Sequence, residues 1–408
     1  VKQQVVHVYG GKSPAGGVQL SALPPLALYV HLPWCLKKCP YCDFNSHEWV
    51  QRTGSSPADA PVPEQDYLRA LFADLDAALP QVWGRTVHSV FIGGGTPSLF
   101  SPAAIDALLA GVRARLKLAA DAEITLEANP GTFEAGRFRG YRDAGVTRLS
   151  IGVQSFDDAK LAALGRVHDG AQARAAVDEA ARHFATFNLD LMYALPQQTL
   201  RECEADLRTA LSFSPPHLSV YHLTLEPNTV FAKYPPPLPG DDAAAEMQDL
   251  IESLTAAAGF DHYEVSAYAR PGHRCRHNLN YWRFGDYLGI GAGAHSKLSF
   301  ADRIVRQARF KQPASYMQQA LGGRAVQTEH RVSAADVPFE FMLNALRLAD
   351  GFEPGLFAER CGLPLAVIEP QLRAAEAQGL LERDMSCIRP TARGRAFLND
   401  LQQLFLAE

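Results

Sequence analysis

Short apolar runs alternate with amphipathic stretches from about residue 26 to residue 225. The runs Ala27 to His31, Ser89 to Ile92, Glu123 to Glu127, Arg148 to Val153, Asn188 to Leu191 and Leu218 to Tyr221 read as six strands. Helical patterns separate them. Strands and helices in this order make parallel βα units, and six of them predict an α/β fold, a curved and incomplete relative of the (βα)8 barrel. The chemistry of such a fold belongs at the C-terminal tips of its strands. Past residue 330 the rhythm becomes helical: Phe339, Met342, Leu343 and Leu346 share one face, and a second helix is expected near Leu365 to Gln378. A hairpin through Gly379–Arg383 and Cys387–Pro390 and an apolar close at Phe397, Leu398, Leu401, Leu404 and Phe405 give that region a winged-helix-like order.

Glycine and proline mark the joints. Residues 1–24, with Gly10-Gly11, Gly16-Gly17 and Pro24-Pro25, lack any period and read as a flexible leader; Arg52 to Glu64 and Pro235 to Gly240 read as surface loops. The expected divisions are the leader (1–24), the barrel (25–240), an extension (241–329) and the winged-helix-like domain (330–408).

Composition is ordinary, with 47% hydrophobic and 20% charged residues and a net charge of −5. It marks no general nucleic-acid or membrane-binding surface. From residue 330 onward eight arginines and no lysine face eleven acidic residues. A phosphate-binding face would be basic, so the last domain reads as a lid or docking module, and no nucleic-acid partner is favoured. No apolar run is long enough to span a bilayer.

Cys35, Cys39 and Cys42 add the chemistry. Their C-x3-C-x2-C spacing follows the first apolar run, and no fourth cysteine lies nearby. Three thiolates hold three irons of a [4Fe-4S] cube and leave the fourth open, which suits the binding of a small molecule. S-adenosylmethionine (SAM) fits that role: its amino and carboxylate groups can chelate the open iron, and one electron can then cleave its sulfonium to a carbon radical. A zinc site wants four ligands in paired groupings, and neither His31 nor His47 supplies the spacing. The chain has seven cysteines, an odd and scattered set without a secretory leader, which argues for a reducing cytosol over a disulfide framework.

Other polar residues fall at strand tips. Gly93-Gly94-Gly95-Thr96-Pro97 follows the second strand, where missing side chains let backbone approach a ligand; alone it reads as a tight turn, and it lacks the lysine of a phosphate loop. Glu127 ends the third strand, and Gln154 and Asp190 end the fourth and fifth. A carboxylate there can accept from a ribose or an amine, and Arg166 can take a carboxylate with both nitrogens. Taken singly, each is as well explained by a helix cap or a surface ion pair.

Together these residues resemble the radical SAM superfamily, and closely the branch that contains oxygen-independent coproporphyrinogen oxidase and the HemW-type haem chaperones. The resemblance rests on Tyr29 to Cys35, Cys39 to Asn45, Gly93 to Ser98, Leu126 to Gly131, Gly152 to Phe156 and Asn188 to Leu191. It continues through Glu226 to Thr229 and His277 to Trp282 into the C-terminal region. It implies that Cys35, Cys39 and Cys42 bind the cluster. Tyr29, Tyr41, Gly94, Gly95, Thr96, Glu127, Gln154, Arg166 and Asp190 would surround SAM, with Thr224 and His295 completing the pocket. Homodimer formation is a family expectation.

The branch turns on few positions. The oxidases resembled here carry a further cysteine two positions after the third ligand, where this chain has Phe44; the HemW-type pattern has an aromatic residue there and a His-Asn-x-x-Tyr-Trp block, present as His277, Asn278, Tyr281 and Trp282. That block offers haem an imidazole ligand and two rings to cover a porphyrin face, although a histidine beside Tyr and Trp is also an ordinary packing residue. Cys275 stands at the wrong spacing for attached haem, and Gly289-Ile290-Gly291-Ala292-Gly293 reads as a barrel-closing turn near SAM rather than a dinucleotide fingerprint. The favoured expectation is a haem chaperone that carries a SAM-ligated cluster and delivers haem to an unidentified acceptor protein. An electron donor is needed if SAM is cleaved. The alternatives are a coproporphyrinogen III dehydrogenase acting by radical decarboxylation and a radical SAM enzyme acting on RNA or protein.

Overall fold

The computed structural model describes residues 17–49, 62–131 and 136–407. Six parallel strands form a curved wall: β1 (Leu26–Leu32), β2 (Thr86–Gly94), β3 (Lys117–Ala128), β4 (Arg148–Gln154), β5 (Phe187–Tyr193) and β6 (His217–His222). All six expected strands are present, each longer than its apolar run suggests. Helices cover the outside and start on local signals. Ser101 caps Pro102–Arg115, and capping boxes on Asp169 and Thr199 open Gly170–His183 and Leu200–Ser212.

Alternation along the strands sorts the two faces. Val30, Val90, Leu126, Ile151, Leu189 and Leu218 join the core between wall and helices. Their neighbours Phe91, Glu127, Ser150, Asp190 and Ser219 line the hollow inside the wall. The concave face of β3 to β6 therefore carries polar side chains among its rings.

The sheet does not stop at six strands. Downstream come β7 (Asp261–Glu264), β8 (Ala267–Ala269), β9 (Asp286–Ile290), β10 (His295–Phe300), β11 (Arg303–Arg309) and β12 (Val326–Arg331), giving one sheet in the order β12-β11-β10-β9-β1-β2-β3-β4-β5-β6-β8-β7. β1 is held in parallel between β9 and β2. The glycine-rich segment after Leu288 consequently does not close a barrel; it finishes β9 and turns the chain into antiparallel β10.

A second core gathers the C-terminal helices Val337–Ala345, Pro354–Cys361 and Glu369–Ala377 and the hairpin Leu381–Arg383 with Ile388–Pro390. Phe341 is its centre, with Phe284, Phe352 and Phe357 rings 5.8, 5.1 and 5.3 Å away. Two loop expectations need correction. Within the supposed leader, Val18 and Leu20 are buried in this second core, and the Gln19 and Leu20 amides donate to Gly362 and Ala301 carbonyls. Glu64 opens the helix Glu64–Val82 rather than ending a loop, while residues 50–61 and 1–16 lie outside the described residues. No described helix is long and apolar enough to cross a membrane.

Candidate functional site: a cavity behind the cysteine loop

The three cysteines stand on a loop pinned from a distance. Cys35 ends a two-residue strand, Trp34–Cys35, which pairs with His47–Glu48. Asn45 Nδ2 donates to the Ala292 and Lys311 carbonyls at 2.9 and 2.8 Å. His31 Nε2 meets the Asn45 carbonyl at 2.9 Å, so this nitrogen carries the proton and Nδ1 accepts from the Tyr29 hydroxyl at 3.0 Å. Burial lowers the His31 pKa to about 4, which keeps the ring neutral.

Each sulfur has a polar neighbour of its own. Thr96 Oγ1 donates to Cys35 Sγ at 3.4 Å, Arg166 Nη1 to Cys39 Sγ at 3.6 Å, and Ser46 Oγ lies 3.7 Å from Cys42 Sγ. Burial pushes the Cys35 thiol up to about 11, with Thr96 opposing, and raises that of Cys42. Bound metal overcomes such a shift, because a coordinating thiol is deprotonated outright. Among the described residues no three His, Cys, Asp or Glu side chains converge as a mononuclear metal site requires. A cube that gives each thiolate its own iron needs no such convergence, so the donor set fits the cluster better than it fits zinc.

Behind the loop lies a cavity of about 1380 Å³. Its near end gathers Tyr41, Gly94, Gly95, Thr96, Glu127, Gln154, Arg166, Asp190, Thr224 and His295, which were separate motifs in the chain. Gly94 has φ +125°, and a Cβ there would stand 2.7 Å from the His31 ring. Its amide donates to Glu127 Oε2 at 3.0 Å. Burial, and secondarily the charge of Asp190, pushes the Glu127 carboxyl up to about 7. Asp190 is also raised by burial, although Ser150 and Asn188 donate to it at 3.1 and 2.8 Å. Gln154 has φ +67° where the β4–β5 register shifts, a left-handed conformation uncommon outside glycine. Arg166 Nη2 donates to Asn129 Oδ1 at 2.7 Å and to the Gly152 carbonyl at 2.8 Å. Thr224 donates to Glu226 at 2.7 Å in an exposed position, and burial lowers the pKa of His295 at the start of β10.

Two expected residues stand apart. Tyr29 does not line the cavity but supports His31 from behind. His277 does not line it either: the ring is 2% exposed, pairs with Ser89 through Nδ1 at 3.0 Å, and packs 5.0 Å from both Phe91 and Tyr281. Its Nε2 has no hydrogen-bond partner. The imidazole expected to ligate haem is thus walled off by rings that themselves face the hollow. Residues not assigned to the site from the sequence, Arg148 and Ser150 among them, line the cavity. The available signal was the inward register of polar residues along β4 to β6.

The far end of the cavity reaches the second core through Trp282, Phe284, Tyr287, Phe339, Leu343 and Arg347. Its total volume exceeds the roughly 300–1,000 Å³ of a pocket for one small molecule.

Residues 29–210 match the family model of the radical SAM superfamily, and residues 332–397 match that of the HemN C-terminal domain. The chain is 52% identical to the heme chaperone HemW of Escherichia coli over 388 residues, covering 95% of this chain and 99% of that one. It is 47% identical to the heme chaperone HemW of Haemophilus influenzae over 392 residues, with coverage of 95% and 99%. The solved structure of coproporphyrinogen III oxidase (HemN) from Escherichia coli, a radical SAM enzyme, superposes with a TM-score of 0.78 at 25% identity, covering 94% of this chain and 90% of that one.

Proposed function

This chain belongs to the HemW heme-chaperone family of the radical SAM superfamily, and from that premise we propose that it binds haem and passes it to an acceptor protein. Cys35, Cys39 and Cys42 would hold the [4Fe-4S] cluster. Thr96, Arg166 and Ser46 would place hydrogen-bond donors around the three sulfurs. SAM would occupy the near end of the cavity, where Gly94 leaves backbone accessible and Glu127 and Asp190 offer acceptors to hydroxyl and ammonium groups. When bound, cluster and SAM supply one-electron chemistry at the open iron. An external reductant would be required for it.

The observation that carries the carrier reading over the oxidase reading is Phe44. Its ring is 46% exposed and faces the cavity two positions after Cys42, where the oxidase pattern has a thiol. His277 has an uncommitted Nε2 for haem iron, but presenting it requires Phe91 and Tyr281 to part.

The test is an anaerobic haem titration of the cluster-reconstituted protein, followed in the Soret band. Saturation near one haem per chain, with no porphyrin formed from coproporphyrinogen under the same conditions, is the expected result. Unsaturable binding together with porphyrin formation would reverse the assignment in favour of the dehydrogenase.

A further inference from the structure

The hydrogen-bonding capacity left open in the cavity is lopsided. Among its described lining residues, the buried side-chain atoms without a partner are four donors, Arg148 Nε, Arg166 Nε, Trp282 Nε1 and Arg347 Nε, and one acceptor, Glu264 Oε2. Glu264 Oε2 already sits 3.7 Å from Arg347 Nη2. Arg166 belongs to the cysteine end, where it holds Asn129, Gly152 and Cys39. The remaining donors call for an occupant rich in acceptors.

Arg148 is the most exacting of them. It opens β4, faces the hollow, and is only 2% exposed. Glu123 and Asp190 are near enough to act on its charge, but their oxygens are engaged elsewhere. Asp190 accepts from Ser150 and Asn188; Glu123 accepts from the Cys275 thiol and from the Arg276 and His277 amides. An enclosed guanidinium without a hydrogen-bonded anion is unfavourable, and a ligand carboxylate set against its fork offsets that. SAM carries one carboxylate, which the open iron of a cluster would claim; haem carries two and leaves both free.

We propose that Arg148 is the receptor for a haem propionate, seating the porphyrin edge-first in the polar hollow of the wall. This rests on the haem-carrier reading and specifies its cargo site. Trp282 Nε1 and Arg347 Nε, where the guanidinium carbon lies 4.4 Å over the indole, extend the same preference to the joint with the C-terminal helices.

The experiment compares haem with haem dimethyl ester, whose carboxylates are masked, on wild-type protein and on Arg148→Gln. Soret titrations are run alongside SAM binding by equilibrium dialysis. Wild-type protein should bind the diester about tenfold or more weakly than haem. The variant should lose most of that preference for haem over the diester, with SAM affinity unchanged. Equal affinity of the wild type for haem and diester overturns the proposal, and needs no variant to fold. Loss of SAM binding in Arg148→Gln with haem binding intact also overturns it, by assigning the arginine to the carboxylate of SAM. No saturable haem binding by the wild type is a different failure, that of the carrier reading itself.

Discussion

Glu127 and Asp190 share one corner of the cavity lining, and desolvation there raises the carboxyl pKa of the first. Its carboxyl titrates at about 7 when folded against a usual value of 4.5. The folded chain therefore keeps a proton over that interval which the unfolded chain has released, so stability falls as pH rises from about 4.5 to about 7. The loss is at most about 3 kcal/mol. Thermal unfolding of the SAM-free protein at pH 5 and pH 8 should show a larger drop for wild type than for Glu127→Gln; parallel drops would refute the assignment. Cys39 is half-buried at the cavity and belongs to neither core. Cys39→Ala should abolish cluster absorbance while circular dichroism stays unchanged, and a retained iron-sulfur spectrum would remove it from the ligand set. At this scale the sequence was legible where residue type and spacing alone define chemistry, as with the cysteines. It was opaque for His277 and Arg148, whose roles depend on which rings and carboxylates surround them.

The elements of the wall could be read from the chain because each strand sends an apolar row outward to the helices. The inward row of β4 to β6, with Arg148, Ser150, Asn188, Asp190 and Ser219, lies within the runs read as strands; what was missed is their ends, such as Gln154, Phe187, Tyr193 and His217. The segment carrying Val18 and Leu20 was hidden: two apolar residues among glycine and proline have no period, and only the distant Gly362 makes them a packed strap. Gly362 ends the helix Pro354–Cys361 at φ +63°, and a Cβ there would lie 2.7 Å from the Gln19 backbone. Gly362→Ala should cost about 2 kcal/mol, roughly 1 for the left-handed backbone and the rest for displacing the strap. Chemical denaturation measures it. A cost near zero would mean that the strap does not hold the second core.

Over the whole molecule, the cavity touches both cores, since β3, β4 and β5 line one part of it and Phe339, Leu343 and Arg347 another. A ligand that spans it should stabilise both together. Haem at a hundredfold excess over its dissociation constant should add about 2.7 kcal/mol and raise a single calorimetric transition. Two transitions of which only one moves would show that the cargo engages one core alone. The radical SAM wall and the helical C-terminal module were both legible, because each keeps its own hydrophobic period. The extension of the sheet between them was not: β9 inserts beside β1 through pairs such as Leu26 with Asp286 and Val30 with Ile290, a long-range match that no local pattern announces.

That late pairing sets an order on biosynthesis. The first strand leaves the ribosome long before its second neighbour, and the cysteine loop beyond it relies on Asn45 reaching the carbonyls of Ala292 and Lys311. Until residue 290 has emerged, β1 is paired on one side only, and until residue 311 follows, the thiol loop lacks its full anchor. Iron-sulfur assembly would then wait on synthesis, for the very segment that brings His295 and Lys311 to the cavity wall.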